Sequence, residues 1–235
     1  MNTPIAGIDL LELTLRGAAA GILLLLGCKL ARRVPLAGRN NIGALFTVGT
    51  AAYAIVSSSL IAPLGGPLPP LLVALATLNS VFFWWFATAL FDDEFRWRYW
   101  RLLPALVMAG LFTLRRIESD WVAGNIDDRL QQGLIIAMML HALWLALGHY
   151  RDDLVEQRRR FRVVFTGLVG TTGLLIAVVE LVVLGDEPAR WLSLFQACVV
   201  VLLSGTFALW LVAPVEVVAG ERPAMPPEPL ADPQD

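Results

Sequence analysis

This 235-residue chain is short of charge. Asp, Glu, Lys and Arg make up 16% of it, against about a quarter in ordinary globular domains. The shortage runs the whole length of the chain, which excludes a soluble domain carried on one anchor. Cysteine is nearly absent. Cys28 and Cys198 both lie in apolar runs, so a disulfide framework is excluded and both are expected as small buried hydrophobes. There are two histidines, His141 and His149, two turns apart and without a third ligand at metal spacing, so no metal is expected. G-x-S-x-G, H-E-x-x-H and P-loop motifs are missing, and with them the familiar hydrolase, metalloprotease and nucleotide-binding signatures. Paired carboxylates are also missing from the apolar segments, leaving little for acid–base chemistry. No catalytic residue and no cofactor are therefore expected. A net charge of −2 argues against nucleic-acid binding by these residues themselves. Strand-type alternation never persists, which excludes a barrel, and no internal repeat stands out.

Hydrophobic residues make up 57% of the chain. The plainest stretch is 68–101, where Leu68 opens a long uncharged run that ends abruptly at Asp92-Asp93-Glu94. About 20 apolar residues cross a bilayer core of about 30 Å. Trp97, Tyr99 and Trp100, interleaved with Arg96, Arg98 and Arg101, suit the headgroup level. Seven such segments can be marked, at about 8–30, 41–62, 68–91, 99–114, 130–150, 162–184 and 191–213. The expected fold is all-α, a polytopic seven-transmembrane-helix bundle. The fourth segment is short and contains Pro104, the one break expected within a span. The links at 62–67 and 185–188 carry Pro and Gly and make successive helices antiparallel neighbours. The N-terminal region lacks the basic start of a signal peptide and is expected to remain as the first helix. Residues 214–235 are rich in proline and acids, the composition of a disordered tail or linker.

Arginine sets the orientation. With the N-terminus outside, 13 of the 18 basic residues fall on the inner side and 5 on the outer, so the C-terminus is predicted to be cytoplasmic.

Polar groups at membrane depth are costly and are the first candidates for function. Glu12 and Arg16 stand four apart on one helical face and can pair. Glu180 is a second acid within reach of Arg16 in principle. Asn79, Ser80, His141, Gln196 and Ser57 to Ser59 complete the set. The candidate intramembrane cluster is thus Glu12, Arg16, Asn79, His141, Glu180 and Gln196, most of it in the outer half. Interhelical hydrogen bonding is the plain alternative for the neutral members. Gly17 and Gly21 form a GxxxG motif expected to admit a close helix neighbour, and Gly167, Gly170 and Gly173 are expected to act similarly. Phe83-Trp84-Trp85-Phe86 reads as core and lipid-facing bulk.

Three segments together, Leu15-Arg16-Gly17-Ala18-Ala19-Ala20-Gly21, Phe86-Ala87-Thr88-Ala89-Leu90-Phe91-Asp92-Asp93-Glu94-Phe95-Arg96 and Tyr150-Arg151-Asp152-Asp153-Leu154-Val155-Glu156-Gln157-Arg158-Arg159-Arg160-Phe161-Arg162, resemble the amino-terminal seven-helix membrane module of some bacterial AraC-type transcriptional regulators. The resemblance implies a sensor in the bacterial inner membrane. It also implies cytoplasmic coupling loops at Asp92, Asp93 and Arg96 and at Arg151, Asp152, Asp153, Arg158, Arg159 and Arg160. In that family a helix-turn-helix domain follows the linker. No recognition helix lies within these residues, so the DNA-binding output is expected beyond Asp235 or from a partner. The other expected partners are the lipid bilayer and a second copy in a homodimer. The arginine run also suits anionic headgroups, at about 1 kcal/mol per residue. The rival readings are a small-solute transporter or transport subunit, which should show broken helices at the midplane, and a membrane scaffold or assembly protein.

Overall fold

A computed structural model describes residues 7–32, 39–58, 70–91, 95–117, 126–148, 156–182 and 190–212. Among them the regular structure is entirely helical. The order is α1 (Gly7–Ala31), α2 (Arg39–Val56), α3 (Pro70–Thr77), α4 (Asn79–Phe91), a 3-10 turn (Tyr99–Leu102), α5 (Leu103–Ile117), α6 (Ile126–Gly148), α7 (Glu156–Val182) and α8 (Arg190–Val212).

Four stretches are long and apolar enough to cross a membrane: Gly7–Ala31, Asp128–Gly148, Val163–Val182 and Leu192–Leu209. Their greasy surface faces outward. Only 17% of the most apolar stretch of α7 is buried, and Leu25, Leu147, Val182 and Leu209 stand exposed on four different helices. In water that surface would drive aggregation, whereas hydrocarbon accepts it, because every backbone group is bonded inside its own helix.

The third apolar segment, expected as one span, is two helices. α3 and α4 meet at Leu78 with a bend of 46°, and would count as a fifth span if taken together. Backbone hydrogen bonds from Leu78 N to Ala74 O and from Phe82 N to Leu78 O carry the chain around the bend. No proline or glycine lies between Leu71 and Phe91. The bend falls where α4 closes on α2. At Gly49 a Cβ would stand 2.8 Å from the Phe82 ring and 3.0 Å from Asn79 Oδ1. Pro104, by contrast, breaks nothing. It occupies the second position of α5, where its missing N–H has no helical partner to lose. The apolar helices Asn41–Val56 and Tyr99–Leu114 are shorter than the four long ones.

α4 is the centre. It packs on α2, α6 and α7, and all but two of its residues are buried. A helix that is apolar all round belongs in such a place. Phe83, Trp84, Trp85 and Phe86 all lie in the core rather than partly against lipid. Phe46 of α2 stacks on Phe86 at 5.8 Å, and Phe165 of α7 meets Phe207 of α8 at 4.7 Å. Beyond α4, the Arg101 guanidinium lies 4.3 Å from the Phe95 ring centroid, and the Trp85 indole donates to Arg101 O at 2.7 Å.

α1 packs on α2 and α8, and α6 on α7. The GxxxG expectation for α1 does not hold within the chain. A Cβ on Gly17 or Gly21 meets nothing within 4 Å. The α1–α2 approach is made instead at Gly27, where a Cβ would be 2.8 Å from Thr47 Oγ1. Gly167 is likewise open, while Gly170 and Gly173 do close on Leu143 and Met139 of α6. Cys28 is exposed rather than buried, Cys198 is half-buried, and both are free thiols.

Candidate functional site

α1 is 25 residues long. Arg16 stands about 14 Å along it from the first residue, at about 1.5 Å per residue. At that depth a guanidinium needs every donor engaged. Arg16 is 2% exposed and Glu12 is 1% exposed. Arg16 Nε donates to Glu12 Oε1 at 2.9 Å. One terminal nitrogen donates to Ala54 O at 3.1 Å and to Ser57 Oγ. The other reaches Ser193 O at 3.3 Å, Ser193 Oγ at 3.0 Å and Gln196 Oε1 at 3.4 Å. Ser193 Oγ donates in turn to Glu12 Oε1 at 2.7 Å. One cation thus ties α1 to α2 and to α8.

From Arg16 the bonds run on to the second acid. Gln196 Nε2 donates to the Tyr53 hydroxyl at 2.6 Å. Tyr53 donates to Glu180 Oε1 at 3.5 Å, and Gln132 Nε2 donates to Glu180 Oε2 at 2.7 Å. The direction of this chain is dictated by its ends. A guanidinium only donates and a carboxylate only accepts, so the Gln196 amide and the Tyr53 hydroxyl must point as they do. The chain joins α1, α8, α2, α7 and α6. Its bonds alternate between long and short, and the Tyr53–Glu180 contact is at the outer limit for a hydrogen bond.

The two acids are therefore not equivalent. Of the two acids open to it, Arg16 pairs with Glu12 and joins Glu180 through Gln196 and Tyr53. Glu12 is sealed in, whereas Glu180 is open. Two cavities, of about 300 and 400 Å³, meet at Glu180, Ser57, Thr172 and Ile176. The smaller is walled by Phe46, Ile135, Met139, Val169, Ala177 and Leu203, with Asn79, Ser80 and Gln132 also on its lining. Asn79 Oδ1 accepts from Thr50 Oγ1 at 3.0 Å. Ser80 Oγ and Gln132 Oε1 are buried with no hydrogen-bond partner.

His141 lies elsewhere. It is exposed on α6, and its Nδ1 accepts from the Trp84 indole at 2.9 Å. That bond makes Nε2 the protonated nitrogen of the neutral ring. Its neighbours are Trp84 and Trp144, not the polar chain. Of the coupling-loop residues, Arg96 is exposed. Arg158, Arg159 and Arg160 fall in the opening turns of α7, which starts at Glu156 rather than near 162. Asp92, Asp93, Arg151, Asp152, Asp153, Ser59, both Pro/Gly links and the tail 214–235 lie outside the described residues.

Tyr53, Ser193 and Gln132 were not among the candidates read from the sequence, though the chain cannot close without them. Ser193 and Gln196 share a helical face at i, i+3. Tyr53 stands one turn before Ser57. Those spacings were the available signals. No protein-family model, no curated protein and no solved structure matches this chain.

Proposed function

We propose that this chain is the sensing module of a membrane signal-transduction protein. It sits in the bacterial inner membrane as seven spans, N-terminus outside and C-terminus cytoplasmic, and passes an envelope signal to a transcriptional output that follows it or that a partner supplies. The spans are α1, α2, the bent pair α3–α4, the stretch from Tyr99 through α5, then α6, α7 and α8. The arginine bias of the loops supports the orientation. The observation that carries the sensing role is the hydrogen-bonded chain from Arg16 to Glu180. It begins in a fully paired, sealed charge and ends at an exposed acid between two cavities. A group that binds there with different affinity in two packings of α7 against α2 and α8 shifts the balance between them, and only by that difference. α7 begins at Glu156 with Arg158 to Arg160 in its opening turns, so one helix connects the cavity to the basic cytoplasmic segment.

The test is a fusion of a DNA-binding output after Asp235, read as transcription in cells. Glu180→Leu is expected to abolish the response to envelope signals. Arg16→Met is expected to do the same or to remove the protein. Unaltered signalling in both variants removes the chain from the mechanism. A periplasmic rather than cytoplasmic reporter signal after Asp235 overturns the topology.

One observation favours the transport reading instead. The bend at Leu78 puts the first residues of α4, Asn79 and Ser80, on a cavity, and broken helices at cavities mark many transporters. Solute flux in vesicles that is lost in Asn79→Leu, with no effect on transcription, would establish it.

A further inference from the structure

The smaller cavity is built for a particular chemistry. Its walls are largely apolar, and beside the amides of Asn79 and Gln131 on its lining, three oxygens are short of partners. Gln132 offers one. Its nitrogen is committed to Glu180 Oε2 at 2.7 Å, and since a carboxylate cannot donate, the amide cannot be turned the other way. The free end is thus Oε1, buried and without a hydrogen-bond partner. Ser80 offers the second. It is 9% exposed, lines the same cavity, and its Oγ has no partner. Glu180 offers the third. Among the described residues its Oε1 holds only the Tyr53 hydroxyl, at 3.5 Å. Its two partners, Tyr53 and Gln132, are both neutral, and among the described residues no cation lies within ion-pairing distance of it. The nearby charge is already used, because Arg16 is paired with Glu12.

Buried polar groups left unpaired are costly, and more so away from water. A carboxylate in an apolar surround calls for a cation. A ligand that satisfies all three oxygens must donate several hydrogen bonds, carry positive charge and have an apolar body for the walls. An anion is repelled by Glu180. A neutral alcohol leaves the carboxylate uncompensated.

We propose that the occupant of this cavity is a small lipophilic ammonium, a protonated primary amine on an apolar body. Its charge is held by Glu180, and its N–H groups reach Gln132 Oε1 and Ser80 Oγ once those two covered oxygens turn toward the cavity, with the apolar part against Phe46, Ile135 and Met139. This assignment rests on the cavity being the receptor site proposed above. Tyr53 then has to give up its long bond to Glu180 or share it, which is how occupancy reaches Gln196 and Arg16.

The experiment uses the full chain in a non-ionic detergent. Saturable binding of three probes of similar body is compared by calorimetry: phenethylamine, 3-phenylpropan-1-ol and 3-phenylpropanoate. On the unaltered protein, phenethylamine is expected to bind about ten- to a hundredfold more tightly than the alcohol, the worth of one charge-assisted contact. The carboxylate is expected not to bind. E180Q should erase the preference for the amine over the alcohol, and S80A should weaken the amine severalfold. Equal binding of amine and alcohol on the unaltered protein overturns the assignment, whether or not the variants fold. So does preference for the carboxylate, or no saturable binding of the amine. The transcriptional fusion separates this from the sensing role. Selective amine binding with a silent output leaves the ligand class standing and removes the sensor. An output that responds to an envelope signal while the amine fails to bind does the reverse.

Discussion

Two regions of this bundle, the aromatic packing around α4 and the polar chain from Arg16 to Glu180, are held by opposite means. Around Phe83 the fit is made by shape. Phe83 is 1% exposed, Phe46 lies 5.5 Å away in a tilted pair, and Val81, Ala87 and Ala89 are sealed beside it. No member has a charge to satisfy, and small errors are absorbed by repacking. Around Arg16 the fit is made by valence. Each nitrogen has named acceptors, Nε within α1 and the two terminal nitrogens on the α2 and α8 sides, and removing one partner leaves the others short. The aromatic region is sealed at Phe83, with Phe46 at its edge on a cavity wall, whereas the polar chain is tight at Arg16 and open at Glu180. The first builds a fixed frame. The second has one sealed end and one open end, the asymmetry on which the proposed sensing role rests.

The largest expected effect tests the sealed end. Arg16→Met leaves Glu12 as an uncompensated buried carboxylate and should cost about 3–5 kcal/mol of stability. The double variant Glu12→Leu/Arg16→Met removes both charges and should recover most of that loss, since an apolar pair of similar volume often replaces a buried ion pair without penalty. Reversible unfolding in mixed micelles measures both. A double variant no better than Arg16→Met would mean that the contacts to Ser193 and Ala54, rather than charge, hold α1 to its neighbours.

The same treatment of the aromatic side should read differently. Phe83→Ala is expected to cost about 3 kcal/mol, the low end for a large core truncation. No second substitution on a neighbouring helix that merely removes bulk should restore it. If Phe83→Ala/Phe46→Ala is more stable than Phe83→Ala, the aromatic region is coupled in the way claimed here only for the polar chain, and the contrast fails.

How far each region could be read in advance follows from this difference. Apolar runs such as 8–30 and 191–213 announce α1 and α8, because hydrocarbon demands length and little else. Glu12 with Arg16 is visible as an i, i+4 pair within one helix. Tyr53, Ser193 and Gln132 are not visible, because their roles depend on the rotation of four helices against each other, and no local rule sets that. The bend at Leu78 hid for a related reason. Neither proline nor glycine sits there, and the close approach beside it is made at Gly49, on another helix. Pro104 misled in the other direction, since a proline in an apolar run looks like a break until the helix is seen to start beside it.

The smallest effect asks which glycines matter. Gly17 and Gly21 have the motif spacing, and Gly27 has none. Yet a Cβ on Gly17 meets nothing, while one on Gly27 would be 2.8 Å from Thr47 Oγ1 and 3.4 Å from Val48 Cγ2. Thr47 cannot swing away freely, for it is fully buried and its hydroxyl is bonded to Ala44 O at 2.9 Å. Gly27→Ala should therefore force α1 and α2 apart by a few tenths of an ångström and cost about 1–3 kcal/mol, as overpacking does. Gly17→Ala puts a methyl into open space on an exposed helical face, so only the backbone term remains. That term favours alanine by up to about 1 kcal/mol. The two substitutions are chemically identical and ten residues apart on one helix, and their effects should differ in sign. If Gly17→Ala destabilises instead, the open face of α1 is covered in the membrane, and the expected homodimer is the first occupant to test, by cross-linking through the exposed Cys28.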